Sequence, residues 1–366
     1  DGKVMVIKSL KLKNYRNYDL LDLKFDPNTN ILYGDNAQGK TNILEALYLS
    51  GTTKSHRGTK DRDIIQFGYD ESHIETTIEK RGINFQIDMH LKKNSPKGIA
   101  IDKVPIRRAG ELFGIVHFVF FSPEDLNIIK EGPAGRRRFI DLELSQLDKI
   151  YLNNLSNYNR IINQRNSLLK DIYGQKNLME TLDIWDMQLV SYGTKVLERR
   201  KEFICQVNEI ISDMHYKLTG GKERITLSYE SGTGNMSLEE ALAKHRDRDI
   251  RMKSTTVGPH RDDICFTTQN GIDVRRFGSQ GQQRTAALSL KLSEIELVKR
   301  VINDTPVLLL DDVLSELDKH RQNYLLDSIH DIQTIITCTG LDEFVNHRFS
   351  INKIFHIKNG HAVNAN

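Results

Sequence analysis

The chain is poor in cysteine: Cys205, Cys265 and Cys338 are the only three in 366 residues, an odd number at wide spacing. They form no metal-ligand pattern and no disulfide framework, which points to a reducing, cytoplasmic setting. Long apolar runs are missing as well. Nothing approaches the roughly 18 consecutive apolar residues of a membrane span, and no secretory signal is legible, so no membrane partner is expected. Charge of one sign is scarce: 52 Lys and Arg stand against 49 Asp and Glu, a net +3. Global electrostatics therefore neither demand nor exclude nucleic acid, and local clusters must carry that question. No internal repeat, helix-turn-helix, zinc finger or aromatic base-stacking platform is visible. What is there is 38% hydrophobic and 28% charged residues, enough for a core. The length suits two domains, or one domain with a large insertion.

Gly34-Asp35-Asn36-Ala37-Gln38-Gly39-Lys40-Thr41 is a complete G-x-x-x-x-G-K-[ST] phosphate loop. Residues 4–12 and 29–33 read as strands, the second running straight into Gly34. Residues 41–50 carry Ile43, Leu44, Leu47 and Tyr48 at helical spacing. That is the strand–loop–helix context the motif requires. Loop N–H groups, with Asn42 at the helix start, would cradle the β-phosphate. The Lys40 ammonium would reach the β- and γ-phosphates of ATP, and the Thr41 hydroxyl would ligate Mg2+. The bland alternative is an ordinary Gly-rich turn, which the flanking elements argue against.

Pro306-Val307-Leu308-Leu309-Leu310-Asp311-Asp312 is a continuous apolar run ending in two acids, the pattern of a strand buried on both faces of a parallel sheet. Asp311 at its end suits Mg2+, and Asp312 suits the orientation or deprotonation of an attacking water. Ser279-Gln280-Gly281-Gln282-Gln283 precedes it, separated by a helix with Leu288, Leu292, Ile295 and Val298 on one face. Alone, the Ser-Gln-Gly-Gln segment has a plain helix cap made by Ser279 as its alternative reading.

The order of phosphate loop, S-x-G-Q, helix, apolar strand with two acids and Ser315-Glu316-Leu317-Asp318 resembles the ABC-type ATPases, and within them the SMC-like branch. The resemblance implies that Ser279, Gly281 and Gln282 contact the γ-phosphate held by a second copy, giving an ATP-dependent homodimer. It also implies nucleotide contacts for Arg16 and Arg57. Further segments are similar to the RecF family of bacterial recombination mediators. They include Leu10–Tyr18, residues 53–57, Phe121-Ser122-Pro123-Glu124-Asp125-Leu126, the stretch from Gly132 to Asp141, and Thr256-Val257-Gly258-Pro259-His260-Arg261-Asp262-Asp263. The family implies duplex DNA and single-strand/double-strand junctions as ligands, RecR and RecO as partners, and RecA loading as the outcome. Two departures from the wider ABC pattern stand out. Asp312 replaces the usual Glu, implying slow hydrolysis, and Cys338-Thr339-Gly340 lacks the switch His of transporters. No convincing Q-loop glutamine is present.

The expected fold is α/β: an ATPase head with a mixed or parallel sheet and an antiparallel meander, carrying an inserted helical lobe with a short antiparallel helical hairpin. The ATPase parts are placed at 1–122 and 255–366, and the insert at 123–254. Two stripes, from Leu155 to Ile172 and from Trp185 to Met214, flank Gly174 and form the hairpin. Residues 219–234 read as a β-hairpin and 246–253 as a mobile charge run. Three basic clusters are candidates for DNA phosphates: Lys54 and Lys60, Arg107 and Arg108, and Arg136-Arg137-Arg138. The last opens a helix, where cations oppose the dipole, and ion pairing with Asp141 and Glu143 is the alternative. Rival functions are an ATPase subunit of a transporter and a structural chromosome clamp with little turnover.

Overall fold

The computed structural model describes residues 5–172, 175–341 and 351–364. Val4 of the first expected strand and Gly174 between the helical stripes lie outside them. The chain runs β1 (Met5–Tyr15), β2 (Tyr18–Lys24), β3 (Thr29–Tyr33), α1 (Lys40–Thr52), α2 (Asp61–Ile64), β4 (Glu71–Lys80), β5 (Ile83–Lys92), β6 (Gly98–Ile101), β7 (Val104–Pro105) and β8 (Phe118–Phe121). It continues through α3 (Asn127–Lys130), α4 (Pro133–Leu147), α5 (Lys149–Asp171), α6 (Lys176–Leu218), β9 (Ile225–Glu230), α7 (Leu238–Met252), β10 (Asp263–Thr268), α8 (Val274–Phe277) and α9 (Gln280–Ile302). It ends with β11 (Val307–Asp311), α10 (Lys319–Ser328), β12 (Thr334–Cys338), β13 (Lys353–Lys358) and β14 (His361–Asn364).

Two compact units emerge: Asp1–Asp125 with Lys291–Asn366, and Leu126–Leu290. The first unit holds two six-stranded sheets. One, in the order β2-β1-β4-β5-β6-β7, is antiparallel throughout. The other, in the order β14-β13-β3-β12-β11-β8, is parallel except for the β13–β14 edge. Helix α1 is buried over nearly its whole length, because Ile43, Leu44 and Leu47 share one core with Leu10, Leu12 and Ile74 of the first sheet and Leu32, Leu309 and Ile335 of the second. A helix covered on two sides has no polar face to show. The mixed, layered α/β architecture and the meander are those expected. Residues 98–105 form the hairpin β6–β7, because Asp102 and Lys103 take positive φ and turn the chain.

The second unit contains the helical hairpin of α5 and α6. Tyr158, Ile162 and Leu169 on α5, and Leu189, Val196, Phe203 and Val207 on α6, are buried as the stripes require. Trp185, the first residue of the second stripe, is only half-buried, with Ile184 and Met187 exposed on the same stretch. Arg165, which breaks the α5 stripe, is wholly buried and is held by Asp186 at 2.6 Å, Asp249 at 2.7 Å and Thr255 at 2.9 Å. Residues 219–234 form no hairpin of their own. Strand β9 pairs antiparallel with β10, from Ile225↔Thr268 to Glu230↔Asp263. The charge run 246–253 is largely helix α7, anchored by the buried Asp249. The β9–β10 pairing also keeps residues 255–290 with this second unit, so the division falls at 290 and not at the expected 254.

Candidate nucleotide site

Strand β3 delivers the chain to Gly34, where a side chain is sterically excluded: a Cβ there would lie 2.2 Å from the Ile357 carbonyl oxygen of β13. Gly39 has φ of 104°, and a Cβ would meet the Asn17 amide at 2.5 Å and the Tyr18 hydroxyl at 2.7 Å. Both motif glycines are therefore demanded by backbone geometry. Ala37 also takes positive φ. Asp35, Asn36 and Ala37 are exposed, while Gln38, Gly39, Thr41 and Asn42 are half-buried. The β1–β2 turn braces the loop. Asn17 donates to the Gln38 carbonyl at 3.0 Å, Tyr18 donates to the Gly39 carbonyl at 2.8 Å, and Asn42 donates to Asn17 at 2.9 Å.

Lys40 is buried, and its ammonium donates to the Gly34 carbonyl and, at 2.9 Å, to that of Cys338. These bonds hold the cation under the loop. The Thr41 hydroxyl donates to Asp311 Oδ1 at 2.8 Å, and the buried Thr337 hydroxyl donates to the same oxygen at 2.8 Å. The parallel order β3–β12–β11 makes this possible by bringing the carboxyl ends of all three strands to one edge. A threonine hydroxyl beside a carboxylate is an all-oxygen donor pair that fits a hard divalent cation such as Mg2+.

Asp312 follows in the left-handed region, φ 51°, with its N–H bonded to the Thr337 carbonyl at 3.2 Å and hydroxyl at 3.1 Å. Such a conformation costs about 1–3 kcal/mol for a non-glycine residue and here turns the carboxylate out of the strand. Burial raises the Asp312 pKa above the usual aspartate value, opposed by Lys40 and by the Ser315 hydroxyl, 3.3 Å from Oδ1. The result is a carboxylate biased toward taking a proton.

Arg16 and Arg57 converge on Glu45, which sequence reasoning missed. Glu45 lies one helical turn beyond Thr41 and is fully buried. It accepts from Tyr15 at 2.9 Å, from Arg16 Nε and Nη2 at 3.0 Å each, and from Ser55 at 2.8 Å. Burial raises its pKa, but hydrogen bonds from Arg16 and Ser55 outweigh this and hold it below the usual glutamate value. Arg57 stands 4.0 Å from the same carboxylate and donates to Asn42 at 3.3 Å. Thr337 was missed as well. Only its place at the end of an apolar strand could have signalled it.

In the second unit, Ser279 and Gln282 make a reciprocal cap: Gln282 N–H donates to Ser279 Oγ at 3.2 Å, and Ser279 N–H donates to the Gln282 side chain at 2.8 Å. Gln282 also donates to Glu223 at 2.8 Å. Its amide oxygen and one amide N–H are thus engaged internally, whereas Ser279 and Gly281 are exposed at the start of α9. The segment is well anchored. Arg275 is bonded to Asp263, Asp273, Glu230 and the Ile264 carbonyl, and the buried Gln283 donates to the Val274 carbonyl at 3.2 Å.

The basic clusters divide. Lys54 and Lys60 are exposed. Arg136 is not a surface cation: it is 4% exposed, bonds Asp263 through Nε and Nη2 at 2.6 and 3.1 Å, and donates to the carbonyls of Ile128, Ile129 and Glu131. Nε, Nη1 and one Nη2 N–H are all turned inward to these partners, so the buried guanidinium is a structural cation and not a surface one. Arg137 is half-buried and bonds the Asp262 carbonyl at 2.8 Å, and Arg138 alone of the three is exposed. The ion-pairing alternative was nearer the mark, with other partners: Asp263 for Arg136, while Asp141 pairs with Arg200 at 2.8 Å. His260 is likewise structural. It bonds Tyr158 at 2.7 Å and the Thr255 carbonyl at 2.9 Å, and burial lowers its pKa to about 4.

A fold and site so arranged define the chain as an ABC-type ATPase head of the SMC-like class. The family model described as the RecF/RecN/SMC N terminal domain matches residues 6–362. The DNA replication and repair protein RecF of Agathobacter rectalis is 63% identical over 97% of this chain and 98% of its own length. That of Lachnospira eligens is 62% identical over 99% of this chain and 100% of its own length. A solved structure of the recombination mediator protein RecF with ATP, described as part of the RecFOR pathway, superposes with a TM-score of 0.93 at 34% identity, covering 100% of this chain and 99% of that one. An Smc head domain from Pyrococcus furiosus shares the fold, with a TM-score of 0.57 at 14% identity. The chain belongs to the RecF family of recombination mediators, and the transporter reading has no support among these relatives.

Proposed function

We propose that the protein is an ATP-operated DNA clamp of recombinational repair. ATP occupies the 34–41 loop, with Gly34, Asp35, Asn36, Ala37, Gln38, Gly39, Lys40 and Thr41 around its phosphates and Asn42, Arg16 and Arg57 at the rim. Thr41 and Asp311 hold Mg2+, which when bound would neutralise phosphate charge. Lys40 exchanges its carbonyl partners for phosphate oxygens. Asp312 orients a water and accepts its proton. A second copy presents Ser279 and Gly281 from the start of α9, where the helix dipole and free N–H groups favour an anion. Gln282 holds Ser279 in place and does not itself reach the nucleotide. The closed pair grips duplex DNA beside a single-stranded gap or junction, with RecR and RecO as partners and RecA loading as the outcome, in the cytoplasm. Turnover is slow, because a short Asp312 stands where a longer carboxylate would reach further. ATP then serves as a timer on the clamp.

The observation that carries this reading is the Thr41–Asp311 contact at 2.8 Å, which joins the phosphate loop to the acidic strand end. Sizing in solution with and without ATP and Mg2+ tests it. Wild type should pair only with ATP, Lys40→Arg should pair poorly, and Ser279→Arg should bind ATP yet stay single. A Ser279→Arg chain that pairs normally with ATP would refute the shared site.

A further inference from the structure

We propose that Glu45 is a positioning residue for the nucleotide: its carboxylate fixes Arg16 and thereby leaves Arg57 as a surplus cation facing the phosphate loop. The inference rests on the reading that ATP binds at 34–41. Glu45 is fully buried on α1, and a carboxylate so placed is tolerated only when charge and lone pairs are both satisfied. Arg16 supplies the closest charge. It meets both Glu45 oxygens at 3.0 Å and also donates to the Asp63 carbonyl at 3.2 Å and Thr59 at 3.4 Å. Tyr15 and Ser55 complete the carboxylate's shell. Glu45 is the acid that both guanidinium groups meet, and Asp63, which also acts on Arg16, lies 3.7 Å from Arg62, so one positive charge is left over. The contacts assign that charge to Arg57, whose approach to Glu45 is a loose 4.0 Å and whose side chain is 31% exposed.

Arg57 is not adrift. It donates to Asn42 at 3.3 Å, Asn42 donates to Asn17 at 2.9 Å, and Asn17 donates to the Gln38 carbonyl at 3.0 Å. A continuous polar chain thus runs from the buried acid to the crown of the phosphate loop. Without the acid, Arg16 and Arg57 would repel each other, and Arg57 would lose its bearing on Asn42. With it, a cation rests at the loop rim, loosely enough held to transfer to a triphosphate, and its departure leaves Glu45 still neutralised by Arg16.

The test is equilibrium binding of a fluorescent ATP analogue with Mg2+ to wild type, Glu45→Gln, Arg57→Ala, the double variant and Lys40→Ala. Each single change at 45 or 57 should weaken binding about tenfold, the effect of one charge-assisted contact. The double variant should be no weaker than Arg57→Ala alone, because both changes remove the same cation from the rim. A merely structural Glu45 would instead give multiplied losses of about a hundredfold. That result, or wild-type affinity in Arg57→Ala, overturns the proposal. Should Glu45→Gln fail to fold, Tyr15→Phe replaces it in the same cycle: it removes one donor to the carboxylate and keeps the ring, with a loss of about threefold expected. Undiminished binding by Lys40→Ala would reject the ATP site itself, a failure separate from that of Glu45.

Discussion

Replacing Arg136 by Met should unfold the second unit more easily and leave DNA binding alone. The guanidinium is 4% exposed, so solvent screening gives no relief. Its loss deprives three backbone carbonyls of a donor and removes two of the bonds to Asp263. Asp263 is not stranded, however, because Arg275 Nη1 still donates to its Oδ2 at 2.8 Å. The cost should therefore sit near the low end for breaking a buried pair, about 3 kcal/mol. Asp263→Ala should be worse, at about 4 kcal/mol, since it takes the carboxylate from the buried Arg136 guanidinium, while Arg275 keeps Asp273 and Glu230. Urea unfolding followed by helical signal measures both, and duplex affinity is then compared at equal folded fraction. The reasoning fails if Arg136→Met keeps the wild-type midpoint and loses DNA affinity, or if the two variants rank the other way.

The remaining predictions concern the site and the surface. Burial raises the Asp312 pKa, so hydrolysis that needs its ionised form should begin to fall on the acid side at a higher pH than for an ordinary aspartate near 3.9. Asp312→Asn should lose about a hundredfold or more in turnover, keep ATP binding, and show no such acid limb; a limb that persists would exclude Asp312 as the proton acceptor. Changing Lys54 and Lys60 to Glu should weaken duplex binding alike for every sequence, with a shallower salt dependence by about one unit of slope per lysine. Loss confined to one sequence would mean that bases, not phosphates, are read.

The parts of the molecule legible in the sequence are those set by local chemistry. Strand β3 and helix α1 bracket a loop whose glycines are needed for backbone reasons, and the apolar run at 307–311 can only be an interior parallel strand. The hairpin of α5 and α6 follows from its stripes. What stayed hidden depends on distant partners. Arg136 reads as a surface cation because nothing near it announces Asp263, 127 residues away. Strand β9 reads as half of a local hairpin because its true partner, β10, lies beyond the whole of α7. Glu45 looks like an ordinary polar position on a helix until the first sheet closes over it and brings in Tyr15 and Arg16. Thr337 is one more small residue in an apolar strand until β12 is inserted between β3 and β11.

The same dependence on distant partners sets how the phosphate loop acquires its shape. Its first residue is pressed by the Ile357 carbonyl, its lysine is held by the Cys338 carbonyl, and the Gln38 side chain accepts from the Asn359 N–H at 2.7 Å. All three contacts come from β12 and the β13–β14 segment, some 300 residues later in the chain. Loop-closure entropy must be overcome before any of them forms. The motif that is most local in sequence therefore owes its final shape to contacts that are among the least local. A phosphate nest finished only when β12 and β13 flank β3 makes nucleotide affinity a readout of the completed parallel sheet. A change that loosens β13 far from any phosphate, such as one that moves the Ile357 carbonyl, should then weaken ATP binding as surely as a change in the loop itself.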